Sequence, residues 1–291
     1  MTDIPISFFH DFTGVDDRLR GCILHDFAVH GARHLVLCAP LLRQLQSRPA
    51  LRAILEAEMK SEGLTFRDAH APYGKYLDLN SPDGYIRAVM LSHIELNMLI
   101  SASMGIKTIT VHVGNEIAYP EHPLEEQFDW IKRSLEKLLP KAEAAGITIC
   151  IENGWAQLNT PERLIALQHE FNSPYLGICY DAGHANLMAN GKSDPESAPF
   201  VQWKNITPAW EEHCLEKVLP FVVNCHLHDN SGFSDDHALP GTGCVNWRQI
   251  ANLLVQAPRL QVIQSEVAIY RNKSTVKELC DFFNDFPEKF L

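Results

Sequence analysis

The sequence lacks the marks of membrane-bound and exported proteins. None of its 291 residues belongs to an apolar run that approaches the roughly 20 residues of a membrane-spanning helix. The first residues, MTDIPISFFHDF, have neither the basic start nor the long apolar stretch of a signal peptide. The eight cysteines are scattered, without a C-x-x-C pair, and several lie inside apolar runs. We therefore expect a cytoplasmic protein without a membrane partner, whose thiols are reduced and mostly buried.

Basic residues are also few. Lys and Arg number 25 against 36 Asp and Glu, which gives a formal net charge of −11. A broad basic surface for nucleic acid is therefore absent, although a local basic patch is not excluded. Apolar residues make up 46% and charged residues 21% of the chain, near globular averages, which excludes disordered and fibrous classes. Histidines, in contrast, are numerous, at 14, and histidine is the commonest metal ligand.

Short apolar runs alternate with helical patterns along the chain. Most of the runs are almost continuously apolar, as in parallel strands that are buried on both faces. The eight predicted strands cover residues 4–10, 34–39, 64–69, 107–113, 147–152, 176–181, 221–228 and 260–267. Eight strand–helix units predict an α/β fold, a (β/α)8 TIM barrel that forms one domain over residues 1–291. An open doubly wound sheet is the alternative, but neither G-x-G-x-x-G nor G-x-x-x-x-G-K-[ST] follows the first strand.

Capping residues mark several helix ends. Ser81-Pro82 and Thr160-Pro161 are each typical of an N-cap followed by proline at the first helical position, and Gly146 is typical of a helix end. Ser274 is predicted to open the last helix. Residues 185–205 show no clear period, so we predict a long loop there and consider it a candidate lid.

Histidines and carboxylates recur where the apolar strands end. In a (β/α)8 barrel these strand ends converge on one face, where active sites lie. Nine metal-binding side chains are expected to meet there, namely His70, His112, Glu152, Asp181, His184, His226, Asp235, His237 and Glu266. Carboxylates and imidazoles together suit a divalent ion such as Mn²⁺, Zn²⁺, Co²⁺, Fe²⁺ or Mg²⁺. Such an ion would also offset the repulsion between close carboxylates.

Taken singly, several of these residues also have a structural explanation. A lone histidine at a strand end is more often a hydrogen-bonded structural residue, and Asp181 could simply cap a helix. Glu152 and Glu266 are harder to explain in this way, because carboxylates are almost never buried without a partner. The G-T-G at 241–243 is more typical of a tight turn than of a phosphate-binding loop. Trp155, just beyond Glu152, is a candidate for stacking on a sugar ring.

From about His70 to Glu266 the chain resembles the xylose-isomerase-like TIM-barrel superfamily. That group contains sugar phosphate isomerases/epimerases, ketose 3-epimerases and endonuclease IV. The most specific stretch is CHLHDNSGFSDDHALPGTGCVNW at 225–247, which is similar to the superfamily's H-x-H-D followed by D-x-H-x-x-P-G-x-G and a Trp. The blocks ENG, D-A-G-H and S-E also occur in the superfamily's order. The resemblance implies a metal-binding barrel, and it also allows a homo-oligomer.

Two branches of the superfamily imply different metal sets. In the ketose-epimerase branch four residues hold one divalent ion, and the matching positions here are Glu152, Asp181, His226 and Glu266. In the endonuclease IV branch nine residues hold three zinc ions, and all nine strand-end residues named above match, as does Tyr73 in HAPY. Two segments depart from endonuclease IV, namely CAPLLRQLQSR after the second strand and Ser231-Gly232 after the seventh. HALPGTGCVNW is more similar to the isomerase/epimerase branch.

The resemblance therefore implies a divalent-metal-dependent isomerase or epimerase acting on a sugar or sugar phosphate. Glu152 or Glu266 would remove the proton next to a metal-polarised carbonyl, and the other would return a proton to the resulting enediolate. His184 would hydrogen-bond a substrate oxygen, and Trp155 and His228 would contact the sugar. The alternative is an endonuclease IV-like zinc phosphodiester hydrolase acting on abasic DNA. A third hypothesis is a barrel retained only as a binding module.

Overall fold

Eight parallel strands close into a barrel in this computed structural model, which describes residues 4–189 and 209–286. Each strand pairs with the next along the chain, and the eighth pairs with the first. The strands are β1 (Ile6–Phe8), β2 (His34–Leu37), β3 (Thr65–His70), β4 (Thr108–Val111), β5 (Thr148–Glu152), β6 (Leu176–Asp181), β7 (Val222–Leu227) and β8 (Val262–Ser265). The predicted α/β fold, a (β/α)8 TIM barrel, is confirmed.

Helices follow the strands in sequence. Those of the described residues are α1 (Asp17–Val29), α2 (Ala39–Ser47), α3 (Leu51–Ser61), α4 (Gly84–Ser103), α5 (Leu124–Ala145), α6 (Pro161–Phe171), α7 (Ala182–Ala189), α8 (Cys214–Val218), α9 (Trp247–Leu254) and α10 (Val276–Asn284). Short 3-10 helices lie at Glu116–Ala118, Gln157–Asn159 and Leu219–Phe221.

Five of the eight strands are buried along their whole length, which is why they contain so few polar residues. Every residue of β4, β5, β6, β7 and β8 is buried, between the barrel interior and the outer helices. A polar residue in such a strand therefore needs a partner inside the barrel or at its mouth. Glu152 is the last residue of β5 and Asp181 the last residue of β6, so both strands deliver a carboxylate to the mouth.

The predicted helix ends are confirmed at two sites and wrong at two others. Thr160 caps α6 ahead of Pro161, and Gly146 ends α5 with the left-handed φ of 63°. The start predicted at Ser81-Pro82 is wrong, because α4 begins at Gly84. The carboxylate of Asp83 caps it by accepting from the backbone N–H groups of Tyr85 and Ile86. The last helix is capped one residue later than predicted, by Thr275, which forms a capping box with Glu278.

The loop predicted at 185–205 is only partly described. Its first five residues continue α7, which ends at Ala189, so for them the loop prediction is wrong. Residues 190–205 lie outside the described residues.

None of the eight cysteines forms a disulfide, and six of them are buried, as predicted. Within the described ranges, no helix is both long and apolar enough to cross a membrane.

Candidate metal centre

The predicted side chains meet at the carboxyl-terminal mouth of the barrel, in two adjoining groups. The first, which we call the glutamate group, comprises His70, His112, Glu152, His226 and Glu266. The second, which we call the aspartate group, comprises Asp181, His184, His228, Asp235 and His237. Within both groups, sets of three ligand atoms lie within 4.8 Å of one another. All nine predicted metal residues are therefore brought together, and His228 joins them.

In the glutamate group, two carboxylates converge on one imidazole nitrogen. Oε1 of Glu152 lies 2.5 Å from Nδ1 of His226, and Oε2 of Glu266 lies 3.2 Å from the same nitrogen. The other oxygen of Glu152 is 2.9 Å from Nε2 of His112. These residues lie at or just beyond the ends of β4, β5, β7 and β8, and His70 ends β3, so the group joins five strands across the mouth.

The aspartate group is built around two carboxylates and three imidazoles. Nε2 of His228 lies 3.2 Å from Oδ2 of Asp181, and Nε2 of His237 lies 3.1 Å from Oδ2 of Asp235. Nε2 of His184 is 3.6 Å from that same oxygen of Asp235. The two groups touch, since Nδ1 of His226 is 3.8 Å from Oδ2 of Asp181.

Backbone carbonyls orient three of the imidazoles. Nδ1 of His70 is 2.8 Å from the carbonyl of Ala71, Nδ1 of His184 is 2.9 Å from that of Asn153, and Nδ1 of His237 is 2.8 Å from that of Glu266. A carbonyl only accepts, so each Nδ1 carries the hydrogen, and in the neutral ring Nε2 keeps its lone pair. This is the arrangement in which histidines bind metal ions.

The donor set fits a divalent metal ion. Oδ1 of Asp235 is buried without a hydrogen-bond partner, and Oε1 of Glu152 and Nδ1 of His226, although 2.5 Å apart, are buried without forming a well-aligned hydrogen bond. Buried polar atoms are normally satisfied, so such atoms at the point where several ligand-type side chains converge call for a bound group. Carboxylate oxygens together with imidazole nitrogens are ligands for Zn²⁺, Mn²⁺, Fe²⁺ and Co²⁺. The residues present therefore fit the ion that the sequence predicts.

The electrostatics of the mouth keep the carboxylates charged. Burial would raise the pKa of Glu152, but His226 and His112 outweigh it and hold the pKa well below its usual value. Burial is likewise outweighed at Glu266, where His226 is the largest opposing influence, so its pKa is also lowered. Burial lowers the pKa of His70 to about 4, with His112 and His226 adding to the effect, so this imidazole is neutral and ready to bind a metal.

Comparison with known proteins agrees with this geometry. A family model described as the xylose isomerase-like TIM barrel matches residues 30–284. The chain belongs to the xylose isomerase-like TIM barrel family. It is 26% identical over 227 residues to an uncharacterized protein of Methanocaldococcus jannaschii, which covers 74% of this chain and 70% of that protein.

Two solved structures share the fold of this xylose isomerase-like barrel. A D-tagatose 3-epimerase-like protein superposes with a TM-score of 0.73 at 19% identity, covering 98% of both chains. A 3-keto-D-glucoside 4-epimerase from E. coli superposes with a TM-score of 0.68 at 17% identity, covering 96% of this chain and 97% of that chain. At these identities the likeness shows the fold, and the chemistry has to be argued from the residues at the mouth.

One buried carboxylate, Asp229, holds the segment 225–247 together by accepting hydrogen bonds from several of its residues. Nothing in the sequence singles this aspartate out. Oδ2 of Asp229 accepts from the backbone N–H of Gly241 at 2.8 Å and from Nε1 of Trp247 at 3.0 Å. Its Oδ1 accepts from the N–H of Val245 at 3.1 Å. A Cβ at Gly243 would lie 2.3 Å from Oδ1 of Asp229, so only glycine fits there. The G-T-G at 241–243 is therefore a turn held by Asp229, and the turn closes the loop that carries Asp235 and His237.

The structure confirms one of the two roles that the sequence left open for Asp181, that of a helix cap. Its Oδ1 accepts from the backbone N–H of His184 at 2.6 Å, which caps the start of α7, while Oδ2 faces His228. Asn153 holds the same residue in place, because its side chain accepts from the N–H of Asp181 at 2.8 Å and donates to the carbonyl at 3.1 Å. Nothing in the ENG block of the sequence indicates this role for its asparagine.

Aromatic rings border the two groups. The ring of Trp155 packs edge-on against His184 with centroids 4.6 Å apart, and Tyr73 stacks on His112 at 4.3 Å while remaining 54% exposed. His228 has no exposed surface and stacks on His237 at 4.0 Å. Trp155 and Tyr73 are therefore placed to contact a molecule in the mouth. The fully buried ring of His228 is separated from such a molecule by other residues of the aspartate group.

Proposed function

We propose that this protein is a divalent-metal-dependent sugar or sugar phosphate isomerase/epimerase that moves a proton next to a carbonyl through an enediolate. The observation that carries the proposal is the convergence of Glu152 and Glu266 on Nδ1 of His226. Both glutamates are ionised, which is the form that a general base requires. The solved structures with this fold include proteins named as sugar epimerases, which supports a sugar-like substrate.

Four residues would hold the ion: Glu152, Asp181, His226 and Glu266. Bound there, a Mn²⁺, Zn²⁺, Co²⁺, Fe²⁺ or Mg²⁺ ion would act as a Lewis acid on the substrate's carbonyl oxygen. His70, His112, His184, Asp235 and His237 lie close enough to offer further ligand positions.

The residues of the chain divide the proton transfers between them. One glutamate removes the hydrogen from the carbon next to the carbonyl, and the electron pair of that C–H bond moves into the enediolate. The other glutamate, on a strand three positions around the barrel, returns a proton to carbon from the opposite side.

Burial lowers the pKa of His184, but Asp181 and Asp235 outweigh it and raise the pKa well above its usual value. The imidazolium can thus donate Nε2–H to a substrate oxygen beside Trp155.

Deuterium exchange tests the proposal directly. The protein, loaded in turn with each candidate metal, is incubated in D₂O with a panel of ketoses and ketose phosphates, and NMR follows deuterium at the carbon next to the carbonyl. We expect exchange and epimer formation, which Glu152→Gln and Glu266→Gln should each slow by about 10²–10⁴-fold. The exposed Glu136→Gln, on the outer side of α5, is the matched control and should keep full activity.

A zinc phosphodiester hydrolase is the second candidate, because the structure brings together all nine residues that match the endonuclease IV set. In that case Glu152, His184, Asp235 and His237 would be among the residues that hold the zinc ions, and the ions would supply the hydroxide that attacks phosphorus. Incision of an abasic DNA duplex by zinc-loaded protein, with no deuterium exchange into any ketose, would favour this candidate over the epimerase. Neither activity in metal-loaded protein would favour the binding module.

A further inference from the structure

A line of buried polar side chains lies in the barrel interior beneath the metal centre. Asp68 in β3, Thr110 in β4 and Asn224 in β7 have no exposed surface. The interiors of such barrels are filled mainly by branched apolar side chains, and burying a carboxylate without hydrogen bonds is costly. These three residues therefore need an explanation beyond filling space.

The line is continuous from Asp68 to a ligand of the metal centre. Oδ2 of Asp68 accepts from Nδ2 of Asn224 at 3.0 Å, and the same Nδ2 donates to Oγ1 of Thr110 at 3.0 Å. Oγ1 of Thr110 lies 3.2 Å from Nε2 of His226. At the lower end, Oδ1 of Asp68 accepts from the hydroxyl of Thr108 at 2.7 Å.

The carboxylate at the lower end sets the direction of these hydrogen bonds. A carboxylate only accepts, so Asp68 turns the NH₂ of Asn224 toward itself, and that group also reaches Thr110. The Thr110 oxygen accepts from Asn224 with one lone pair, and its second lone pair is available to Nε2–H of His226, 3.2 Å away. Burial raises the pKa of Asp68, and the hydrogen bonds from Thr108 and Asn224 act in the opposite direction.

We propose that Asp68 is a positioning residue for the metal ligand His226, acting through Asn224 and Thr110. When a metal ion takes the place of the hydrogen on Nδ1, His226 keeps its Nε2–H on Thr110 and presents Nδ1 to the space between the two glutamates. The hydrogen-bonded line also fixes the plane of the ring, which a metal ion requires of a histidine ligand. This inference rests on the metal-binding part of the proposed function.

Thr110→Val is the sharpest test, because it removes the hydroxyl and preserves the shape of the side chain. We expect Co²⁺ to bind about 10–100-fold more weakly in a titration followed by visible absorption, and the absorption spectrum of the bound ion to change. Thr110→Ser restores the hydroxyl and should recover most of the affinity. Thr148→Val makes the same change in the neighbouring strand β5, at a buried residue outside the line, and should bind Co²⁺ like the wild type.

Asp68→Asn is the second variant, because its NH₂ group cannot accept a hydrogen bond, so a donor that now reaches the carboxylate loses its acceptor. It should also weaken Co²⁺ binding, and the Thr110 variants decide the question if this one does not fold. Wild-type affinity in Thr110→Val, or an equal loss in Thr148→Val, would overturn the positioning role while leaving the proposed function intact. A wild-type protein that binds no divalent ion would overturn both.

Discussion

At the scale of single residues, the imidazoles of the metal centre are oriented by the nitrogen that faces away from it. His70, His184 and His237 each use Nδ1 on a backbone carbonyl, whereas His226 uses Nε2 on a threonine hydroxyl. The sequence could predict that these histidines gather at the mouth, because each follows an apolar strand or lies in the loop beyond one. It could not predict which nitrogen faces the centre, since that depends on contacts made only after the barrel has closed.

His10 is a titrating residue at the end of β1 that the sequence analysis passed over. It is 3% exposed, lies among the rings of Phe12, Phe27 and Tyr270, and its Nε2 has no hydrogen-bond partner. Burial lowers its pKa to about 4, against a small opposing influence of Asp11. The folded protein therefore holds this imidazole neutral at pH values where the unfolded chain protonates it.

We predict that His10 makes the protein less stable as the pH falls from about 6.5 to about 4. In this window the unfolded chain binds a proton that the folded chain does not. The contribution of the neutral His10 imidazole to the stability of the fold is therefore complete above pH 6.5 and is lost on acidification. The full effect is about 3 kcal/mol in the free energy of unfolding. Urea unfolding of wild type and His10→Phe at several pH values measures the difference. Parallel slopes would refute the prediction, and the exposed His93→Phe controls for losing a histidine.

At the scale of elements, the connection from β7 to α9 depends on the one carboxylate of Asp229. Three donors reach that carboxylate from Gly241, Val245 and Trp247, and the connection also carries Asp235 and His237. We predict that Asp229→Ala lowers the free energy of unfolding by about 3–5 kcal/mol, because it leaves buried donors without an acceptor. It should also weaken metal binding by the aspartate group. Denaturant unfolding and metal titration measure the two effects.

Asp236→Ala is the control for that prediction within the same connection. Asp236 accepts from the backbone and side chain of Ser231 near the surface, so its loss should cost less than about 1 kcal/mol. An equal cost for the two substitutions would contradict the special role of Asp229. The sequence shows both aspartates in one polar stretch, DNSGFSDD, and nothing in that stretch separates the buried Asp229 from the half-buried Asp236.

Elements differ in how far the sequence could predict them. The strands could be predicted because burial on both faces leaves a continuous apolar run, and every strand of the barrel overlaps its predicted run. The start of α4 was mispredicted because Ser81-Pro82 and Asp83 both have the chemistry of a helix start, and the choice between them depends on tertiary contacts. Arg87, for example, donates to the carbonyl of Ser81 at 2.7 Å and holds it outside the helix.

At the scale of the whole molecule, closing the barrel is what creates the metal centre. His70 and Glu266 are far apart in the sequence, yet their ligand atoms lie within 4.8 Å of one another. The fold class alone predicts that such strand ends converge, which is why the meeting of nine histidines and carboxylates could be predicted from one sequence. The supporting residues Asp68, Asn153 and Asp229 could not, because single polar residues in or beside an apolar strand show no pattern until their partners across the barrel are known.

A metal ion held by Glu152, Asp181, His226 and Glu266 would connect the ends of four neighbouring strands and should therefore stabilise the whole fold. An ion that binds only the folded chain stabilises it by about 2.7 kcal/mol at a concentration 100 times its Kd. For a domain of this size we predict that chelation lowers the Tm by about 5 °C and that adding back the ion restores it. Thermal unfolding with and without chelator measures the shift, and Glu152→Gln should reduce it because that residue lies between His112 and His226. An unchanged Tm would argue against a bound ion. Elemental analysis of the stabilised protein separates the two candidate functions, because about one ion per chain fits the epimerase and about three zinc ions per chain fit the hydrolase.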